Sequence, residues 1–111
     1  MLVSVSGVFR VDNLASLDAQ TDAVMDALLT AEAASGGVIR DPDVEAVLAE
    51  GLVRISVVVE AESIAAAQDI GIMTIETAII EADGNVVSIA HPRSTVTGFV
   101  EESRQAELLP A

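Results

Sequence analysis

Gln68–Ile80 reads QDIGIMTIETAII, and the fold turns on whether this stretch is a strand or a helix. Five isoleucines and two threonines in thirteen residues favour a strand by composition. Gly71 in the middle weighs against a helix. Length decides the other way. The stretch lies inside Ala61–Asp83, which has no turn signal except Gly71 itself, and strands usually run about 3 to 10 residues. Ser63 can cap a helix start, and Asp83-Gly84-Asn85 can stop one. Ile64, Ala67, Gly71, Ile75, Ala78, Ile79 and Ala82 share one helical face. The spacing predicts a helix in which tertiary packing overrides weak propensity. Gly71 then falls on the buried face, where a missing side chain lets the helix approach a sheet closely.

The same helix carries a second stripe. Ile70, Met73, Thr77 and Ile80 recur at i, i+3, i+7 and i+10, with Ile72 at the rim. A surface helix ordinarily has one apolar stripe about 100° wide, so one that is apolar on two sides should have something packed on both. The cover is either another protein surface or the chain's own C-terminal tail, through Val96, Phe99, Leu108 and Leu109. We expect the former, with Ile70, Met73, Thr77 and Ile80 as the interface of a homo-oligomer or of a complex with a protein partner.

Upstream, Leu52–Glu60 alternates clearly, with Val53, Ile55, Val57 and Val59 facing one way. Glu50-Gly51 before it reads as a two-residue hairpin loop, Val44–Ala49 as a short strand, and Arg40-Asp41-Pro42-Asp43 as a turn. Leu2–Val11 is a half-buried strand, with Val3, Val5, Gly7, Phe9 and Val11 on one side. Asp12 or Asn13 can cap the helix that follows, in which Leu14, Leu17, Val24, Leu28 and Leu29 recur at helical spacing. Ser35-Gly36-Gly37 ends it. Downstream, Val86–Ala90 is a last short strand stopped by His91-Pro92. Ser94–Val100 is patterned as an edge strand, and Glu101–Leu109 as a short helix or a frayed end.

The order β-α-β-β-α-β, with two right-handed crossings, gives one antiparallel sheet with both helices on one face. This is an α+β sandwich of ferredoxin-like architecture. It spans residues 1–93, and residues 94–111 form a C-terminal extension, an edge strand or an interface segment. A fold of this kind assigns no function.

Composition narrows the partners. The chain has 111 residues, suited to one domain, and 51% of them are apolar, enough for one packed core. Lysine is absent, and five arginines stand against eighteen carboxylates for a net charge of −13. Such a charge repels phosphate backbones and anionic membranes, which makes nucleic acid and membrane poor partners. It suits solubility, or a basic protein, a cationic ligand or a metal. Abundant Ala, Val and Asp without Lys fits a GC-rich bacterial or a halophilic source. No cysteine is present, hence no disulfide, thiolate nucleophile or Cys-based metal site. MLVSVSGVFRVD lacks the pattern of a signal peptide, and no run approaches the roughly 20 apolar residues of a membrane span, so a cytoplasmic protein is expected.

No constellation of residues carries recognisable chemistry. Asp18, Asp22 and Asp26 form a row about 12 Å long, whereas a hard cation wants oxygens converging from several directions. Asp41, Asp43 and Glu45 begin like a calcium loop, but Ala46 and Leu52 stand where it needs glycine and glutamate. His91 has no catalytic neighbour at a known spacing, and no glycine pattern forms a phosphate loop. Neither a catalytic residue nor a cofactor is expected. The sheet face away from the helices should show Ser4, Ser6, Val8, Arg10, Leu52, Arg54, Ser56, Val58 and Glu60, with Ser88 nearby. It lacks the stacking aromatics of RNA-binding sheets. Arg10 and Arg54 beside these hydroxyls suit a small anionic ligand, which makes a sensor or regulatory domain the alternative reading.

Overall fold

The computed structural model describes residues 1–11, 17–82, 86–87 and 99–110. The chain runs β1 (Leu2–Val11), α1 (Leu17–Ala34), β2 (Ile39–Val47), a 3₁₀ turn (Leu48–Glu50), β3 (Leu52–Glu60), α2 (Ile64–Glu81), β4 (Val86–Val87) and β5 (Phe99–Leu108). One sheet holds the strands in the order β2-β3-β1-β5-β4. The first four are antiparallel to their neighbours, and β4 adds a two-residue parallel pairing outside β5. The protein is thus an α+β fold built on one open sheet with two helices.

The alternation of β1 and β3 decides where the core lies. Val3, Val5 and Phe9 stand opposite Val59, Val57 and Val53, and all six are fully buried. Val24 and Leu28 of α1 and Ala67, Ile75 and Ile79 of α2 close over this face in the same core, which puts both helices on one side. Each fully buried aliphatic side chain contributes about 1.5–3 kcal/mol relative to exposure. The two aromatic residues meet edge to face in this core, Phe9 and Phe99 at 6.1 Å between ring centres.

Gly71 faces β1 as its spacing predicts. A Cβ there would lie 2.6 Å from the Cβ and Cγ1 of Val5, so only glycine lets α2 sit this close to the sheet. At the other helix, Gly36 and Gly37 take φ of 66° and 95°, the left-handed conformation that terminates α1.

Two local expectations around β2 are corrected. Arg40-Asp41-Pro42-Asp43 is part of β2 rather than a turn before it: the register shifts between Arg40 and Asp43, and Asp41 takes φ of 49°. This is a β-bulge on an edge strand, a position that tolerates proline. The β2–β3 connection is Leu48–Gly51, longer than the two-residue loop of Glu50-Gly51, with Gly51 at φ 67°.

The largest correction concerns the C-terminus. The place beside β1 is taken by β5, and Val86–Val87 lies outside it, so the order follows the expected sandwich through β2-β3-β1 and departs at this edge. Glu101–Leu108 is strand, neither helix nor frayed end. Its alternation is hidden twice over. A bulge leaves Glu102 unmatched where Val8 pairs with Ser103 and Phe9 with Glu101, so the inward positions become Phe99, Glu101, Arg104, Ala106 and Leu108. Two of these five are charged, and they pair with each other. The caps expected at Asp12 or Asn13 and at Asp83-Gly84-Asn85, the end of the Val86–Ala90 strand, and Leu14, Ser88, His91, Arg93 and Val96 lie outside the described residues.

Candidate functional site

α2 forms despite its β-branched residues because its start is fixed and one side is buried. Ser63 is extended at φ −147° and ψ 161°, and its Oγ accepts the Ala66 amide at 3.1 Å. Thr74 donates its hydroxyl to the Ile70 carbonyl at 2.8 Å, which satisfies it within the helix. Ala67, Gly71, Ile72, Ile75, Ala78 and Ile79 are buried. Ile72, read as a rim residue of the outer stripe, belongs to this inner side.

The four residues of the outer stripe come together on the solvent side of α2. Met73 is 69% exposed, Ile80 60% and Ile70 37%, with Thr77 exposed among them. The tail does not take this surface through Phe99, which is in the core, and Leu108 is itself exposed. Asp69 and Glu76 flank the stripe toward β5, and Glu81 flanks it toward α1.

Two open hollows adjoin the stripe and share Met73 and Thr77. The one toward α1, about 340 Å³, is floored by Ala27, Ala31, Ala34 and Ala78. The one toward β5, about 470 Å³, is bounded by Asp69, Ile72, Glu76, Ile80 and Arg104.

Arg104 was not singled out by sequence reasoning. It reaches this hollow because the β5 bulge turns it to the same side as Glu101, three residues earlier, where a regular strand would oppose them. Glu101 is buried and binds the Arg104 guanidinium through two contacts, at 2.5 and 3.1 Å. The hydrogen bond that Arg104 donates to Glu101 raises the Arg104 pKa above its ordinary value against the opposing effect of burial, and the charges of Glu101, Glu76 and Asp69 add to it. Arg104 therefore stays charged, and Glu101 balances it. The signal in the sequence is an acid and a base three apart in a segment that is otherwise hard to pattern.

The opposite sheet face has a different character. Arg10 stands opposite Leu52 and Arg54 opposite Val8, which makes the two arginines diagonal neighbours, about 7–8 Å apart. Ser6 and Ser56 pair between the same strands. Arg10 is already held by Glu102 at 2.5 Å, and Arg54 faces Glu45 of β2 across the strand pair. Carboxylates thus stand close to both candidate anion contacts. Among the described residues no group of three His, Asp or Glu side chains is placed to hold a metal ion, and no helix is long and apolar enough to cross a membrane.

Comparison of the chain with protein-family models, with curated proteins and with solved structures found no significant match.

Proposed function

We propose that this is a small non-enzymatic protein of the cytoplasm that acts by association through the outer face of α2, either with further copies of itself or with a protein partner. One observation carries the reading: Ile70, Met73 and Ile80 are exposed side by side on a helix whose other side is already buried in the core. Single exposed apolar residues are ordinary, but a contiguous apolar stripe marks an interaction surface. Light scattering after gel filtration tests the self-associating form. An assembly that Met73→Glu dissociates with helix content intact supports it, and a clean monomer at micromolar concentration rules it out.

A second reading, a small-anion sensor on the open sheet face, is favoured by the diagonal placement of Arg10 and Arg54, with Ser56 two residues from Arg54 on the same face. Inorganic phosphate should then raise the melting temperature, and Arg54→Ala should abolish the effect. No shift with the wild-type protein removes this reading and leaves the first in place.

A further inference from the structure

We infer that the occupant of the outer face of α2 is a cationic amphipathic segment of another protein, an apolar side flanked by lysine or arginine. The inference rests on the association reading and names the partner's chemistry.

The two hollows on either side of Met73 and Thr77 differ in kind. The one toward α1 is floored by alanines, with Glu81 as its single carboxylate, and accepts an aliphatic or aromatic side chain. The one toward β5 is bordered by Asp69 and Glu76, and its cation, Arg104, is neutralised by Glu101 beneath it. With Glu101, Asp69 and Glu76 around the one guanidinium, that hollow carries an excess of two negative charges beside apolar Ile72 and Ile80, which suits a side chain with an aliphatic stem and a cationic head. A ligand that sets an apolar residue in the first hollow and a lysine or arginine in the second matches both.

A second copy of this chain matches poorly. It has no lysine, and of its four described arginines three are held in ion pairs, Arg10 with Glu102, Arg40 with Glu60 and Arg104 with Glu101. The fourth, Arg54, lies on the sheet face turned away from the helices. Two chains of charge −13 also repel each other. Judged from the described residues, the cations have to come from a different protein.

The test uses a leucine–lysine amphipathic peptide of about four helical turns and a twin with glutamate in place of lysine. Amide shifts in an NMR titration locate the peptide. Its dissociation constant is measured for the wild type, for Asp69→Asn with Glu76→Gln, and for Asp22→Asn with Asp26→Asn, which removes as much charge from α1. Shifts should centre on Ile70–Ile80, and added salt should weaken binding. The first double substitution should weaken it about tenfold and the second less than about twofold, and the glutamate twin should not bind. Equal losses in the two doubles, or shifts spread over the whole surface, overturn the inference, because general acidity then explains the binding. No shift at α2, together with an assembly that salt strengthens and Met73→Glu dissociates, also overturns it: the occupant is then a second copy and the association reading survives. A monomer with no shift at α2 removes both.

Discussion

α1 and α2 are each eighteen residues long and close over the same sheet face, yet they treat water differently. α1 buries Val24 and Leu28 and turns Asp22, Asp26 and Thr30 to solvent, with Leu29 as an isolated exposed apolar residue. α2 buries six residues and still exposes Ile70, Met73 and Ile80 together. Packing on the sheet accounts for one side of each helix. On α1 it leaves Leu29 as the one exposed large apolar side chain among the described residues, and on α2 it leaves the outer stripe uncovered. On the reading proposed above, that stripe meets a second surface.

The contrast can be broken in graded steps. Ile75→Ala on the inner side of α2 should cost about 3 kcal/mol, comparable with Leu28→Ala on α1, since both side chains are fully buried. Urea unfolding of the two variants checks this, and a much smaller loss at Ile75 would mean that α2 is held less firmly by the core than α1.

Gly71→Ala is the next largest. A new Cβ gains up to about 1 kcal/mol of helix propensity, but it meets Val5 at 2.6 Å and has to push the helix off the sheet. Overpacking costs about 1–3 kcal/mol, so a net loss of about 1–2 kcal/mol is expected. A gain in stability would show that the helix can move away freely. Ser63→Ala should remove about 1 kcal/mol by freeing the Ala66 amide, read from the same unfolding curves.

The smallest stability effects should fall on the outer surfaces. Met73→Ala on α2 and Asp26→Ala on α1 should each change stability by less than about 0.5 kcal/mol. Only the first should lower binding to a partner. A large stability loss at Met73 would mean that the outer stripe is covered within the chain.

Much of this contrast could be read from the sequence. Leu52–Glu60 and Leu2–Val11 alternate without interruption, and both strands lie where the alternation puts them. The QDIGIMTIETAII segment resolved as a helix on length and on Ser63, although its composition argued for a strand, because burial of one side outweighs propensity. The packing role of Gly71 was legible for the same reason, since the glycine falls at a helical spacing from Ala67 and Ile75. A C-terminal strand was legible, but the extent of β5 and its place beside β1 stayed hidden. Strand recognition depends on period two, and the unmatched Glu102 shifts that period halfway along the segment. The inward Glu101 and Arg104 look like surface residues until their mutual neutralisation is seen. Arg40–Asp43 misled in the same way, because Pro42 reads as a turn residue and a bulge at a sheet edge uses the same chemistry as a turn. The four stripe residues could be named from spacing alone. The hollow beside them could not, because one of its walls comes from a strand about thirty residues further on.

The central claim is that the outer face of α2, and not that of α1, is where another protein binds. Met73 and Leu29 are exposed apolar residues on the two helices, which makes them a matched pair. The most direct measurement is the fluorescence anisotropy of a labelled leucine–lysine peptide titrated with the wild-type, Met73→Glu and Leu29→Glu proteins. Each substitution adds one negative charge, so a change in general electrostatic attraction is the same for both. Binding should be lost with Met73→Glu and kept with Leu29→Glu, whereas equal binding by the two variants would contradict the claim.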